Sequence, residues 1–275
     1  MTADGRTTWF GQSFRVAWRY RQLTWQLARR NIINRYRGSY LGFLWPFLTP
    51  LLMLVVYTFV FSVMFKMKWG GAIEGSHVDF ALTMLCGLIP FSVFAEVVTG
   101  APGLIMQHPS YVKKIVFPLE ILPVSMLLAS LAHAGFSMVI LLLGLSVLVQ
   151  IPGWALIYLP VVLVPLVLLT LGLGWFFSAL GVFVRDMGQA VAIIANVLFF
   201  LTPIFYPIQA VPEEYRYILE ISPLSAIVDS LRCVVLWNKP PPWEWLAYAA
   251  AISLIIYAGG YYFFVRSKPA FADVI

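Results

Sequence analysis

Arg29-Arg30-Asn31-Ile32-Ile33-Asn34-Arg35-Tyr36-Arg37 closes a block holding eight arginines in 37 residues, and from 38 to 65 there follow 28 positions without a charge. A bilayer core is about 30 Å thick and a helix rises about 1.5 Å per residue, so roughly 20 apolar residues cross it. The run 38–65 is long enough. Arginine is retained on the cytoplasmic side, so the block sets the N-terminus inside the cell.

The rest of the chain agrees. It has 275 residues, of which 61% are hydrophobic and only 11% charged, with a mean hydropathy of +0.87. A soluble globule with a polar surface is excluded, and the composition is that of a polytopic membrane protein. The net charge of +6 does not signal nucleic acid, because nearly half of the basic residues precede the first span. They read as topology and lipid contact. No secretory leader pattern occurs in the first 37 residues, which are expected to stay attached. Cys86 and Cys233 are single, far apart and set in apolar sequence, which fits small core residues rather than a disulfide or zinc site.

Six spans are expected, at 38–65, 80–100, 121–149, 155–184, 187–205 and 245–265. The third and fourth come from a stretch, 121–184, without Asp, Glu, Lys or Arg, broken at Gln150-Ile151-Pro152-Gly153. Six spans return the C-terminus to the cytoplasm. On that topology 13 Lys and Arg lie inside and five outside, namely Lys66, Lys68, Arg216, Arg232 and Lys239, in keeping with the positive-inside bias. One membrane domain covers 1–275, with no internal repeat.

Within 1–37, Phe14, Trp18, Trp25, Ile32 and Tyr36 share one helical arc, and Arg15, Arg19, Gln26, Arg30 and Arg37 a neighbouring one. This predicts an amphipathic interfacial helix whose guanidinium groups meet lipid phosphate or a protein partner; a plain basic anchor is the alternative. The inside loop 102–120 carries Gln107-His108-Pro109-Ser110-Tyr111-Val112-Lys113-Lys114, either a short helix on which a partner pushes or a solvated loop. In the outside segment 206–244, Pro212-Glu213-Glu214 and Ser222-Pro223 are two helix starts. Apolar residues at helical spacing from Leu224 to Val235 follow the second. Two short helices dipping back into the membrane fit the pattern, and such backbone is tolerated where it packs on protein or lines a wet cavity.

Chemistry is sparse. No nucleotide-binding Gly-x-x-x-x-Gly-Lys-Ser/Thr loop, His-Glu-x-x-His, Gly-x-Ser-x-Gly or Cys-x-x-Cys occurs. His133 in mid-span is expected to be a neutral imidazole bonded to a neighbouring helix, and Glu96 needs a partner from another span or a path to the surface. Aromatic residues on the first span (Tyr57, Phe59, Phe61) and at the fifth (Phe199, Phe200, Phe205, Tyr206) either line a pathway or pack against lipid and helices. Gly172, Gly174, Ser178 and Gly181 signal close helix approach.

Three blocks carry a resemblance. They are Arg29 to Pro50, with Arg35-Tyr36-Arg37-Gly38-Ser39-Tyr40-Leu41-Gly42 at its centre; Gly87-Leu88-Ile89-Pro90-Phe91 with 112–123; and Thr202-Pro203-Ile204-Phe205-Tyr206-Pro207-Ile208 with Ser222-Pro223-Leu224. Together they resemble the permease subunits of bacterial ABC exporters for O-antigen and related polysaccharides, including the teichoic acid exporters. The fold so implied is all-α, with six transmembrane helices, an N-terminal interfacial helix and re-entrant periplasmic helices between spans five and six. The resemblance implies a homodimer paired with two ATPase subunits in the inner membrane, moving an undecaprenyl-linked polysaccharide. The chain itself then has no cofactor and is no enzyme, with ATP and Mg on the partner. It further implies a coupling role for Ser110, Tyr111, Lys113 and Lys114, a cytoplasmic gate or lipid-phosphate contact at Arg30, Arg35 and Arg37, and a channel lining drawn from Tyr57, Phe59, Phe199, Phe200 and Tyr206. Rival readings are a drug or small-lipid exporter of the same fold and a membrane-embedded transferase. For the latter, Glu213-Glu214 is the sole adjacent acidic pair.

Overall fold

A computed structural model describes residues 9–36, 40–64, 77–113, 117–149 and 151–275, and every regular element among them is helical. Two helices, α1 (Trp9–Arg19) and α2 (Arg21–Tyr36), precede α3 (Trp45–Tyr57), which continues as a π-helix over Thr58–Met64. Next come α4 (His77–Leu104), the single turn α5 (Pro109–Val112), α6 (Ile121–Leu148), and α7 (Leu159–Phe183) entered through a 3-10 turn. The chain closes with α8 (Met187–Leu201), α9 (Glu213–Glu220), α10 (Pro223–Val235), α11 (Trp243–Ser267) and α12 (Phe271–Val274).

Among the described residues, five stretches are long and apolar enough to cross a membrane: Trp45–Met64, His77–Leu104, Ile121–Leu148, Trp154–Phe183 and Trp243–Val274. The helix expected to make another crossing, α8, has 15 residues and so reaches about 22 Å, short of a full hydrocarbon core. It stops because Thr202, extended, precedes Pro203, a position that disfavours helix. Residues 202–205, expected inside that span, are non-helical yet buried: Thr202, Ile204 and Phe205 are at most 2% exposed.

The single amphipathic helix expected over 1–37 is two helices. Thr24 Oγ1 bonds the Tyr20 carbonyl (3.0 Å), a back-bond that bends helices. In α2, Thr24, Leu27 and Ala28 are buried while Trp25 is exposed, so the buried stripe is not the aromatic arc read from a continuous helix.

At the centre stands α4, packed by α6, α7, α8 and α10. Small residues bring the helices together where the sequence signalled it. A side chain at Gly172 would lie 2.6 Å from the Tyr257 backbone, one at Gly260 would meet Gly172 O, and one at Gly181 would meet Pro102. Trp175 is wedged between Tyr257 and Tyr261 (centroids 5.1 and 4.9 Å) and donates from Nε1 to Glu120 O (3.0 Å).

Contacts sort the connections into two ends. At one, Lys268 Nζ binds Glu120 (2.8 Å), Phe271 packs on Phe183 (6.1 Å) and α2 meets α5. At the other, Ser62 bonds His77 (2.6 Å), Asn238 Oδ1 accepts from Ala155 N (3.0 Å), and Tyr158 packs on Trp243 (5.4 Å). The start and finish of the described chain share the end that holds residues 105–113 and 117–120.

Candidate functional site

At the basic end, α2 lies across α6. Arg35, in its last turn, donates from Nη1 to Glu96 Oε1 of α4 (2.7 Å) and to His133 Nδ1 of α6 (2.8 Å), while Oε1 and Nδ1 stand 3.6 Å apart. The carboxylate needs this cation: α3, α4, α6, α7 and α8 contain no Lys or Arg, and α2 supplies one. The bond to a neighbouring helix expected for His133 is therefore made to α2, and the partner Glu96 needed comes from the arginine block.

One and a half turns earlier, Arg30 Nη1 donates to Tyr111 Oη of α5 (3.3 Å). Tyr111 stacks on Phe117 (4.2 Å, 8°) and meets His108 edge-on (5.3 Å). Arg30, Ser110 and Tyr111 share a cavity of about 230 Å³, and a larger one of about 610 Å³ opens between Arg15, Arg19, Tyr20, Tyr111 and Glu120. Tyr111→Phe removes the hydroxyl between α2 and α5 but keeps the stacked ring.

Toward the other end the aromatics converge. Tyr57 and Phe61 are four residues apart on one face, and both meet Phe205 (5.6 and 4.5 Å). Phe199 touches Tyr57 (6.3 Å), Phe91 (5.1 Å) and Phe205 (5.0 Å). Phe200 packs edge-on against Phe199 (5.4 Å), and its carbonyl accepts from Tyr206 Oη (2.7 Å). Below lies a cavity of about 270 Å³ to which Tyr57, Phe91, Phe199, Ser92 and Ser137 contribute. π-helical turns are rare and favour functional sites; this one carries Phe61 onto Phe205.

The structure thus gathers Tyr57, Phe199, Phe200 and Tyr206, and it joins Arg30 to Tyr111. Phe59, in the π-helical continuation of α3, is 57% exposed and faces away from Tyr57, as two residues' separation requires. Ser110 and Lys113 are exposed. Arg37 and Lys114 lie outside the described residues, as do Lys66 and Lys68. Phe91, quoted only within the second resemblance block, was not picked as a lining residue, yet it meets Phe199.

The clearest omission is Arg232. Counted only as an outside charge, it is 1% exposed in α10. Its Nη1 and Nη2 donate to Pro203 O (2.6 Å) and Ile204 O (3.0 Å), and Nε to Thr83 O (3.3 Å). A usable signal existed: Leu224, Val228 and Arg232 recur at four-residue intervals, which puts the guanidinium on the apolar face.

A bundle of membrane-length helices, with a basic helix pair at one end and an aromatic cluster toward the other, has the build of a polytopic membrane protein. The chain belongs to the ABC-2 type transporter family, whose model matches residues 22–236. It is 29% identical to the O-antigen export system permease protein RfbA of Myxococcus xanthus, over 95% of this chain and 98% of that protein. Similarity to the Klebsiella pneumoniae protein of the same name is 24% over 90% and 93%. To the polysialic acid transport protein KpsM of Escherichia coli it is 23% over 83% and 87%.

Proposed function

We propose that this chain is the membrane subunit of an ATP-driven exporter that carries a lipid-linked, O-antigen-like polysaccharide out of the cytoplasm. What carries the reading is similarity along almost the entire length to proteins named as permeases of O-antigen export. The aromatic cluster supports it, since ring faces pack on the C–H faces of sugars without fixing one position and so let a polymer slide.

In this reading the basic end faces the cytoplasm of a bacterial inner membrane, following the positive-inside bias. The short α8 with the non-helical 202–205 makes the fifth of six crossings, and α9 and α10 are the re-entrant pair. A second copy covers the exposed apolar faces of α3 (Leu52, Val55, Val56) and α8 (Ile194, Val197, Phe200), and the channel forms between the copies. Two ATPase subunits bind ATP and Mg and push on α5, and Arg30 passes the motion to α2. The carrier is undecaprenyl-linked, which places a phosphate at the gate.

Deleting the gene tests this. Undecaprenyl-linked glycan is expected to accumulate inside the cell while surface glycan disappears. Unchanged glycan with raised drug sensitivity would favour a small-molecule exporter instead. Phe199→Ala, which removes the ring shared by Tyr57, Phe91 and Phe205, is expected to cut glycan export at least several-fold while ATP hydrolysis by the assembled transporter persists. Equal losses of both would mean that the ring only packs.

A further inference from the structure

We propose that Glu96 and His133 are positioning residues of the gate: they latch Arg35, and with it α2, onto the bundle, and a phosphate-bearing head opens the latch by drawing Arg35 off Glu96. The latch stands on its geometry, while the phosphate that opens it rests on the lipid-linked reading above.

Glu96 sits among buried neighbours, with Val97 and Val98 at most 3% exposed, and its one Lys or Arg partner among the described residues is Arg35. A carboxylate so placed holds whichever cation can reach it. Arg35 reaches it from the C-terminal turn of α2, where the chain leaves for α3, so the contact ties down the moving end of a lever whose other tie is Arg30 on α5.

The guanidinium is only partly used. Both bonds come from Nη1, no described residue bonds Nε or Nη2, and the side chain is 49% exposed. A phosphate can therefore seat on the open Nε/Nη2 edge in the two-pronged geometry arginine favours, before the Glu96 bond breaks. His133 completes the latch: its Nδ1 accepts from Arg35 at 2.8 Å and stands 3.6 Å from Glu96 Oε1, so the ring holds the guanidinium beside the carboxylate.

The experiment uses the full chain assembled with its ATPase subunits in phosphatidylcholine vesicles. ATP hydrolysis is measured alone, with undecaprenyl phosphate in the bilayer, and with inorganic phosphate in solution. Wild type is expected to respond several-fold to the lipid and not to free phosphate; an equal response to both would assign the site to free anion. Glu96→Gln should raise the basal rate toward the stimulated one and abolish the response, whereas Glu96→Asp should restore a low basal rate. A Glu96→Gln transporter with wild-type basal rate and full stimulation would overturn the latch. Should Glu96→Gln fail to assemble, the reversed pair R35E/E96R decides: recovery of assembly and of a low basal rate supports the latch, and failure of both overturns it. If the lipid leaves wild type unmoved while Glu96→Gln still raises the basal rate, the latch stands and the lipid-linked cargo falls.

Discussion

Arg232→Leu is expected to remove most of the protein from the membrane. Leucine branches at Cγ and ends short of the guanidinium, so the substitution removes the hydrogen bonds and also leaves space where Nε, Cζ and both Nη stood. The guanidinium reaches three carbonyls, two of them, Pro203 O and Ile204 O, in the non-helical stretch after α8. Irregular backbone at membrane depth survives only where protein or water satisfies it. Each buried carbonyl stripped of its donor costs about 1–3 kcal/mol, so two or three together approach the whole stability of a typical domain, about 5–15 kcal/mol. Lysine cannot span the same acceptors, because its ammonium is a point charge without the planar fork; Arg232→Lys should be intermediate. Gly87→Ala should give a milder version of the same defect, since the added methyl would stand 2.7 Å from Nη2. Membrane abundance and thermal unfolding in detergent measure all three. An Arg232→Leu protein present at wild-type level and unfolding at the same temperature would show that the carbonyls find other donors.

Gly260→Val is expected to be as damaging by a different route. Its Cβ would fall on Gly172 O, and one at Gly172 would lie 2.6 Å from Tyr257 Cα. Backbone faces backbone there, so no flexible side chain can yield and α7 and α11 must separate. Overpacking of a well-filled core typically costs about 1–3 kcal/mol, and separation would also loosen Trp175 from between Tyr257 and Tyr261. Gly135→Ala in α6 is the matched control: nothing lies within 4 Å of the added carbon, and it should be silent. Comparable loss from both substitutions would indicate a general sensitivity of these helices to side-chain size rather than one close crossing.

How far the sequence could be read follows from what each feature depends on. Helices stand within a few residues of three charge-bounded stretches: 80–100 lies inside His77–Leu104, 121–149 matches Ile121–Leu148, and 245–265 lies inside Trp243–Ser267. Long uncharged runs leave the chain little choice. The span at 187–205 came out short because Pro203 ends the helix while its neighbours stay buried, and composition alone cannot tell a buried non-helical stretch from a helical one. Close approach at Gly172 and Gly181 was legible from residue size.

The site was legible only in parts. Tyr57, Phe199, Phe200 and Tyr206 were picked, through the resemblance, as aromatics on the first span and at the fifth, yet which of them share a face with Phe61 and Phe205 depends on how α3 and α8 are rotated. Phe59, one side chain over, faces outward. The bond from Arg35 to Glu96 joins residues 61 apart, and that to His133 residues 98 apart. Both needed α2 to bend at Tyr20 and dock on α6, which no local pattern announces. Arg232 was read only as an outside charge; that its guanidinium is buried on the apolar face of α10 and bonds carbonyls is something charge counting does not address.

The central claim is transport of a lipid-linked polysaccharide, and the most direct measurement is reconstitution. Purified chain and ATPase subunits in proteoliposomes, given undecaprenyl-linked glycan on the side that exposes the ATPase, should deliver the glycan to the opposite side only when ATP and Mg are present, and the chain alone should neither hydrolyse ATP nor move it. Glycan that stays on its original side despite active ATP hydrolysis, with a small lipid or drug moved in its place, would contradict the account.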